Sequence, residues 1–374
     1  MRFKKYDTNW DRKKLSDYVK KITRKNSNNV IKNVICNSAQ NGLIPQLDFF
    51  DKEIANNENT AGYYIISNGD FVYNPRKSLS APYGPVNIYK YDSDGIVSPL
   101  YLCFSVDDCI NKSFLLQRFK SPCWYRYIYL NGDSGARHDR VSIKDEVFLS
   151  QPINLPNAEE QAVIAEFLEK IDERISVQNK IISKYETLIK GIRERVVSGS
   201  WQWKKLDELI QEGIVRLNRG NIIPKHQKDN AYKYPVYSSS TQNNGLMGYN
   251  DTYMFDKELI TWSIDGGGNF FYRKKHKFNV TNVCGILQVD ENVYSYRFIA
   301  EMLTYQHSKM KFDYQSKAHP SVISSLYSLP CLPISEQNSY CRLFIALDKK
   351  MQIEQCCLNK LKEQKKYLLS KMFI

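Results

Sequence analysis

Two long stretches of the chain carry apolar residues in alternating steps of four and three. The first runs Ile164, Leu168, Ile171, Ile175, Gln178, Ile182, Tyr185, Ile189, Ile192, Val196. Shifted by 176 positions, the same frame reads Tyr340, Phe344, Leu347, Met351, Glu354, Leu358, Leu361, Lys365, Leu368, Met372. Nine of ten positions are apolar in the first copy and eight of ten in the second, with the first polar interruption at the same place in both. Sustained over about five heptads, this pattern predicts a coiled-coil seam. Each helix should run for about 38 residues, or about 57 Å at 1.5 Å per residue. Asn157, three residues before Glu160, is the expected cap of the first helix, with Gly199 beyond its end; Ser335 is the expected cap of the second. A lone helix of this kind would leave about nine large side chains in water, each worth roughly 1.5–3 kcal/mol when buried, so it needs a partner. The other copy is available, because the intervening residues allow the chain to return. The seam alone fits either orientation, and an antiparallel pair is the expected one.

Between the long helices the pattern changes to short runs of β-branched and aromatic residues punctuated by Gly, Pro, Asn and Asp. GYYIISNGDFVYN (62–74), GPVNIYKY (84–91) and LYLCFSV (100–106) predict strands and turns, and ELITWSIDGGGNFFYRKKHKF (258–278) predicts a strand, a glycine turn and a strand. INKSFLLQRFKS (110–121) and YSYRFIAEMLTYQ (294–306) predict helices. A fainter repeat, W-x-x-K-K-L, occurs at Trp10–Leu15 and Trp201–Leu206. The predicted fold is therefore α+β: two globular domains, each a small curved β-sheet with helices, separated by two long helices that pair as an antiparallel coiled coil in a pseudo-two-fold internal repeat. The expected boundaries are a first domain at 1–154, a helix at 155–199, a second domain at 200–334 and a helix at 335–374.

Composition adds a direction. The 374 residues carry 53 Lys and Arg against 40 Asp and Glu, a formal charge of +13, which attracts polyanions. The 26 tyrosines suit base stacking and phosphate contact as well as core packing. MRFKKYDTNWDRKK lacks the apolar centre of a signal peptide, and no run of about 18 apolar residues occurs, so a cytoplasmic protein with no membrane association is expected. The nine cysteines form no C-x-x-C and argue against a disulfide framework or zinc site; most are expected to be buried, reduced thiols.

No phosphate loop, zinc helix or nucleophile elbow is present, and the five histidines are scattered, so neither catalytic nor metal-binding residues are expected. Gly266, Gly267 and Gly268 read as a hairpin turn, since no helix follows to make a phosphate cradle. Asp172 and Asp348, equivalent in the repeat, read as solvated helix faces or partner contacts rather than a catalytic pair. The stronger signal lies in the loops. NPRKSLSAPYG offers Arg76, Lys77, Ser80 and Tyr83, and GDSGARHDR offers Arg137, His138 and Arg140. In the second domain the candidates are Ser239, Ser240, Asn243 and Asn244, then Arg273 and Lys274, then Lys317 and His319. Arg can address guanine with two hydrogen bonds, Asn and Gln can do so with adenine, and Lys neutralises phosphate.

The doubled L-P-x-x-x-E-Q block with I-A-x-F-L-x-x-I-D-x-x-I at 155–175, its degenerate copy at 332–351 and the closing LKEQKKYLLSKMF resemble the specificity subunits of type I restriction-modification systems. The resemblance extends over essentially the whole chain, with further support from NGDFVYNP, GIVSPLY and YPVYSSSTQNNGLMGY; the second copy departs from it at Tyr340-Cys341. It implies a non-catalytic subunit whose two recognition domains read the halves of a split sequence in double-stranded DNA. It also implies docking of two methyltransferase subunits, and of restriction/translocase subunits, through the long helices. The seam residues proposed for pairing and docking are Ile164, Leu168, Ile171, Ile175, Ile182, Ile189, Phe344, Leu347, Met351, Leu358, Leu361 and Leu368. S-adenosylmethionine, ATP and Mg are then expected on partner subunits and no cofactor on this chain. Two other readings are a coiled-coil scaffold that binds proteins and the detached recognition region of a fused restriction-methyltransferase.

Overall fold

A computed structural model describes the chain except at residues 1, 2, 4, 7, 8, 50–59, 134–138, 225, 230, 241, 266, 311–316 and 374. Long helices form where the four-three pattern lies, at Ala158–Val197 and Ile334–Met372. The first begins as its sequence predicts. The Asn157 side-chain oxygen accepts a hydrogen bond from the Glu160 amide at 2.9 Å, satisfying one of the free donors of the first turn. The expectation for Ser335 is corrected. Ser335 lies inside the second helix, and the Pro333 carbonyl accepts from the Glu336 and Gln337 amides instead. The offset of 176 places Pro333 where Asn157 stands, so the second helix starts without a capping side chain. Of the named seam residues, all are buried except Ile175 and Met351, which are half-buried.

The chain forms two compact units, Met1–Asn179 with Cys356–Ile374, and Lys180–Gln355. In the first unit a four-stranded antiparallel sheet runs in the order Val19–Lys21, Leu102–Val106, Phe71–Tyr73, Val86–Ile88. Helix Lys112–Lys120, capped by the Asn111 side chain, packs with this sheet around Phe71, Phe104, Phe119, Trp124 and Phe148. The same core takes in Ile164, Leu168 and Ile171 from one long helix and Leu368, Leu369 and Met372 from the other.

In the second unit six strands lie in the order Val215–Arg219, Cys284–Val289, Phe255–Ser263, Phe270–Val280, Tyr234–Tyr237, Leu246–Asn250, and only the contact between Phe270–Val280 and Tyr234–Tyr237 is parallel. Helix Tyr296–Lys309 packs on this sheet, with Phe298, Ile299 and Met302 in the core. A smaller cluster gathers Ile189, Phe344 and Leu347 from the long-helix segments, with Tyr185, Ile192, Tyr340 and Met351 beside it.

The two units repeat one local framework. Strand Asp11–Lys14 pairs with Pro152–Leu155, and Trp203–Lys205 pairs with Ser328–Pro330. The leucine that ends each W-x-x-K-K-L segment is fully buried, and its amide donates to an equivalent carbonyl: Leu15 to Gln151 and Leu206 to Tyr327, both at 3.0 Å. The glutamine of each repeated block does the same work twice. Gln161 donates to the Pro156 carbonyl and accepts from the Asn111 amide; Gln337 donates to the Leu332 carbonyl and accepts from the Ser295 amide. Asn111 and Ser295 are the residues that open helices Lys112–Lys120 and Tyr296–Lys309. Each glutamine therefore ties a long helix to the start of the short helix beside it.

Of the two readings for Asp172 and Asp348, solvated face or partner contact, the ion pairs favour partner contact. Asp172 accepts from Gln117 at 2.9 Å and pairs with Lys120 at 3.2 Å and with Lys365. Asp348 pairs with Arg297 at 2.7 Å; Arg297 also pairs with Glu301, whose other oxygen meets Arg193 at 2.5 Å. In both units, then, a short helix is joined by charge to long-helix segments from the two repeats. The Tyr340-Cys341 departure is absorbed by packing: Cys341 takes the buried position that Ala165 holds in the first copy, and Tyr340 lies half-buried against the core. All nine cysteines are free, but only Cys103, Cys284 and Cys341 are buried, so the expectation that most are core residues is corrected. Cys109, Cys123, Cys356 and Cys357 are exposed.

Candidate nucleic-acid interface

In the first unit, the loop that follows strand Phe71–Tyr73 runs along an open groove of about 550 Å³. Arg76, Lys77, Ser80 and Arg140 all line it, so the structure brings together four residues from two separate candidate loops. Arg76 and Arg140 face each other as a backbone bridge, the Lys77 amide donates to the Asp139 carbonyl at 2.8 Å, and the Val141 amide donates to Pro75. The Arg76 side chain is 69% exposed, with Asp139 4.0 Å away. The rest of the lining is of uncharged residue types, and burial pushes the Cys36 thiol and the Tyr101 phenol up. Cations in an otherwise neutral lining suit a polyanion whose bases enter and whose phosphates stay at the edge.

Local sequence explains the loop's shape. Gly84 has φ +85°, and a Cβ there would stand 2.0 Å from the Asn74 carbonyl oxygen, so only glycine allows the chain to close back on Asn74. Ser78 and Ala81 exchange backbone hydrogen bonds, which leaves Leu79 and Ser80 exposed at the tip. Tyr83 is placed differently from its neighbours: its ring is half-buried against Tyr125, and its carbonyl accepts from the Tyr73 hydroxyl. Arg137 and His138 lie outside the described residues.

The second unit gathers its candidates around the turn between strands Phe255–Ser263 and Phe270–Val280. Ser263 donates to the Ser239 carbonyl at 2.6 Å, Lys317 sits 3.6 Å from Asp265, and the Ala318 amide donates to Ile264. Ser239 and Lys317 are thereby both tied to this turn, with Ser240 and His319 close to them in sequence. Gly267 and Gly268 have positive φ, as a glycine turn requires; Gly266 lies outside the described residues. Asn243 and Asn244 are exposed and both left-handed, with φ 48° and 55°. Lys274 is exposed on its strand, alongside Lys275 and Lys277.

Arg273 is the exception among these candidates. It is 3% exposed, its guanidinium lies 3.6 Å from the centre of the Tyr237 ring, and it donates to the Thr261 hydroxyl and to the Asn244 carbonyl. Burial lowers its pKa to about 10, which leaves it a cation at neutral pH. Direct reach to a ligand is corrected to a place beneath the Asn243-Asn244 turn.

The groove also contains residues that the sequence reading passed over: Asn37, Ser38 and Gln40. Asn37 is buried, donates to the Val72 carbonyl at 2.7 Å and accepts from Asn87, which fixes the hairpin Ile35–Ser38 and Gly42–Pro45 against the sheet. A signal for this hairpin was present in the chain, because S-A-Q-N-G-L at 38–43 is echoed by S-T-Q-N-N-G-L at 240–246.

Among the described residues, no three His, Cys, Asp or Glu side chains are grouped to hold a metal ion, and no helix is long and apolar enough to cross a membrane. A family model for the type I restriction modification DNA specificity domain matches residues 8–187 and again 199–363. A Mycoplasma pneumoniae protein described as a type I specificity subunit is 40% identical over 100 residues, covering 26% of this chain and 32% of that protein. A second from the same organism is 30% identical over 159 residues, 41% of this chain and 42% of that one. The matched stretches thus span 32% and 42% of these relatives' lengths, less than half of each. The crystal structure of a type I restriction-modification S subunit from M. genitalium superposes with a TM-score of 0.62 over 98% of this chain and 97% of that one, at 16% identity, a likeness of fold.

Proposed function

Because the chain belongs to the family of type I restriction-modification DNA specificity proteins, we propose that it is the non-catalytic sequence-reading subunit of such a complex. Each domain reads one half of a bipartite target in double-stranded DNA, and the long helices pair as an antiparallel coiled coil that sets the gap between the halves. The observation that carries this reading is the repeated framework: two recognition units, each with a long-helix anchor of the same design built on Gln161 or Gln337. The cation-rimmed groove of the first unit and the net charge of +13 support DNA as the ligand.

Partner docking uses the outer faces of the long helices, since the seam side chains are buried within the chain. Phe167, Val177 and Tyr367 in the first unit and Leu188, Leu343, Ile345 and Ile353 in the second are exposed apolar residues of the kind that a protein partner covers. Two methyltransferase subunits, with restriction/translocase subunits added, would occupy these faces in the cytoplasm. S-adenosylmethionine, ATP and Mg would be bound by those subunits, and base flipping would be their work.

Domain exchange tests the reading. Replacing residues 1–154 with the matching region of another family member should change one half of the modified sequence and leave the other half and the gap intact. A target unchanged by the exchange would contradict it and favour a protein-binding scaffold.

A further inference from the structure

The echo between residues 38–43 and 240–246 has a structural counterpart. In the first unit Ser38 opens the turn of a hairpin, its hydroxyl accepts from the Gln40 and Asn41 amides at 3.3 and 3.2 Å, and Gly42 closes the turn at φ +75°. In the second unit the Ser240 hydroxyl accepts from the Gln242 amide at 3.2 Å, and Gly245 closes the turn at φ +78°. The second turn is one Asn longer, and the Ser238 amide joins its ends by donating to Gly245. In both, the Gln and Asn side chains between the serine and the glycine are exposed.

We propose that these two turns are the equivalent base-reading elements of the two domains, Gln40 and Asn41 for one half of the target and Gln242, Asn243 and Asn244 for the other. The proposal rests on the DNA-reading function above and assigns it to particular side chains. An exposed carboxamide offers one donor and one acceptor side by side, which matches the N6 and N7 edge of adenine in the major groove. Reading demands that the amide be held still, and each turn has a buried polar support. Beneath the first, the buried Asn37 is bonded to Val72 and Asn87, and Asn87 also donates to the Ser38 carbonyl. Beneath the second, buried Arg273 holds the Asn244 carbonyl at 2.8 Å while Tyr237 and Thr261 fix the guanidinium, so two consecutive left-handed asparagines keep one conformation. Cations flank the first turn: Gln40 shares its groove with Arg76, Lys77 and Arg140 and a neighbouring concavity with Lys90 and Lys120. Arg273 is accordingly a positioning residue.

The test is a set of variants of the full chain, each co-expressed with a type I methyltransferase in a methylation-free host, with modified adenines mapped across the host chromosome. Gln40→Ala should relax base preference at one position of one half-site by roughly tenfold, and Gln242→Ala should do the same in the other half-site only. Arg273→Met should blur the half-site that Gln242→Ala blurs and leave its partner unchanged. Both glutamines are exposed, so their removal should not unfold the chain. A uniform fall in modification with the target sequence intact, or a change in both half-sites from one substitution, would overturn the proposal. If the unaltered chain directs no split target, the DNA-reading function itself fails, a separate result.

Discussion

Lys365 occupies a seam position that the four-three pattern reserves for an apolar residue, and its side chain is 9% exposed. Burial lowers its pKa to about 8, and nearby Lys120 adds to this, while Asp172 pulls the other way. Burial alone would raise the Asp172 carboxyl, but Lys120 and Lys365 together hold it below the ordinary carboxylate range. Unfolded Lys365 regains an ordinary value near 10.4, so between about pH 8 and pH 10 unfolding takes up a proton, and this residue makes the fold more stable as pH rises through that window. Below pH 8 both states carry the charge, and the cost of burying it is fully present. The urea midpoint should therefore rise between pH 7.5 and 9.5 by more in the parent than in Lys365→Met, where this contribution is gone. Equal slopes in the two proteins would contradict the assignment.

Helices and turns differ in how plainly they are written. The long helices were legible because burial repeats every three or four residues and Asn157 marks an N-terminus; Asn157→Ala should cost about 1 kcal/mol, measured by denaturant unfolding, whereas removing the Ser335 hydroxyl should cost little. A larger loss at Ser335 than at Asn157 would reverse the capping account. The cap of the second helix was misread because Pro333 satisfies the first turn through its backbone carbonyl, which leaves no side-chain signature. Long-range polar contacts are equally silent in a linear pattern. Nothing local to Arg273 shows that Tyr237 and Thr261 will enclose it, so a basic strand residue was read as a surface contact. The same limit hid the charge pairs of Asp172 and Asp348, whose partners lie 51 to 193 residues away along the chain. The groove was half legible: Arg76, Lys77, Ser80 and Arg140 stood out as charged or hydroxyl residues in loops, whereas Asn37 and Gln40 sit in a short hairpin that composition does not mark.

For the whole molecule, duplication is the organising fact. Two units use the same buried leucine, the same bridging glutamine and the same serine-glutamine turn, yet their sheets differ, with four strands in one and six in the other. A common frame with differing recognition surfaces is what a reader of two unlike half-sites requires, and strict identity of the units would instead favour a palindrome. The measurement that tests this most directly is a map of modified adenines in a methylation-free host that expresses the chain with a type I methyltransferase. The account predicts one split sequence, two different halves at a fixed gap, modified on both strands. A continuous target, or a stable complex that modifies nothing, would contradict it.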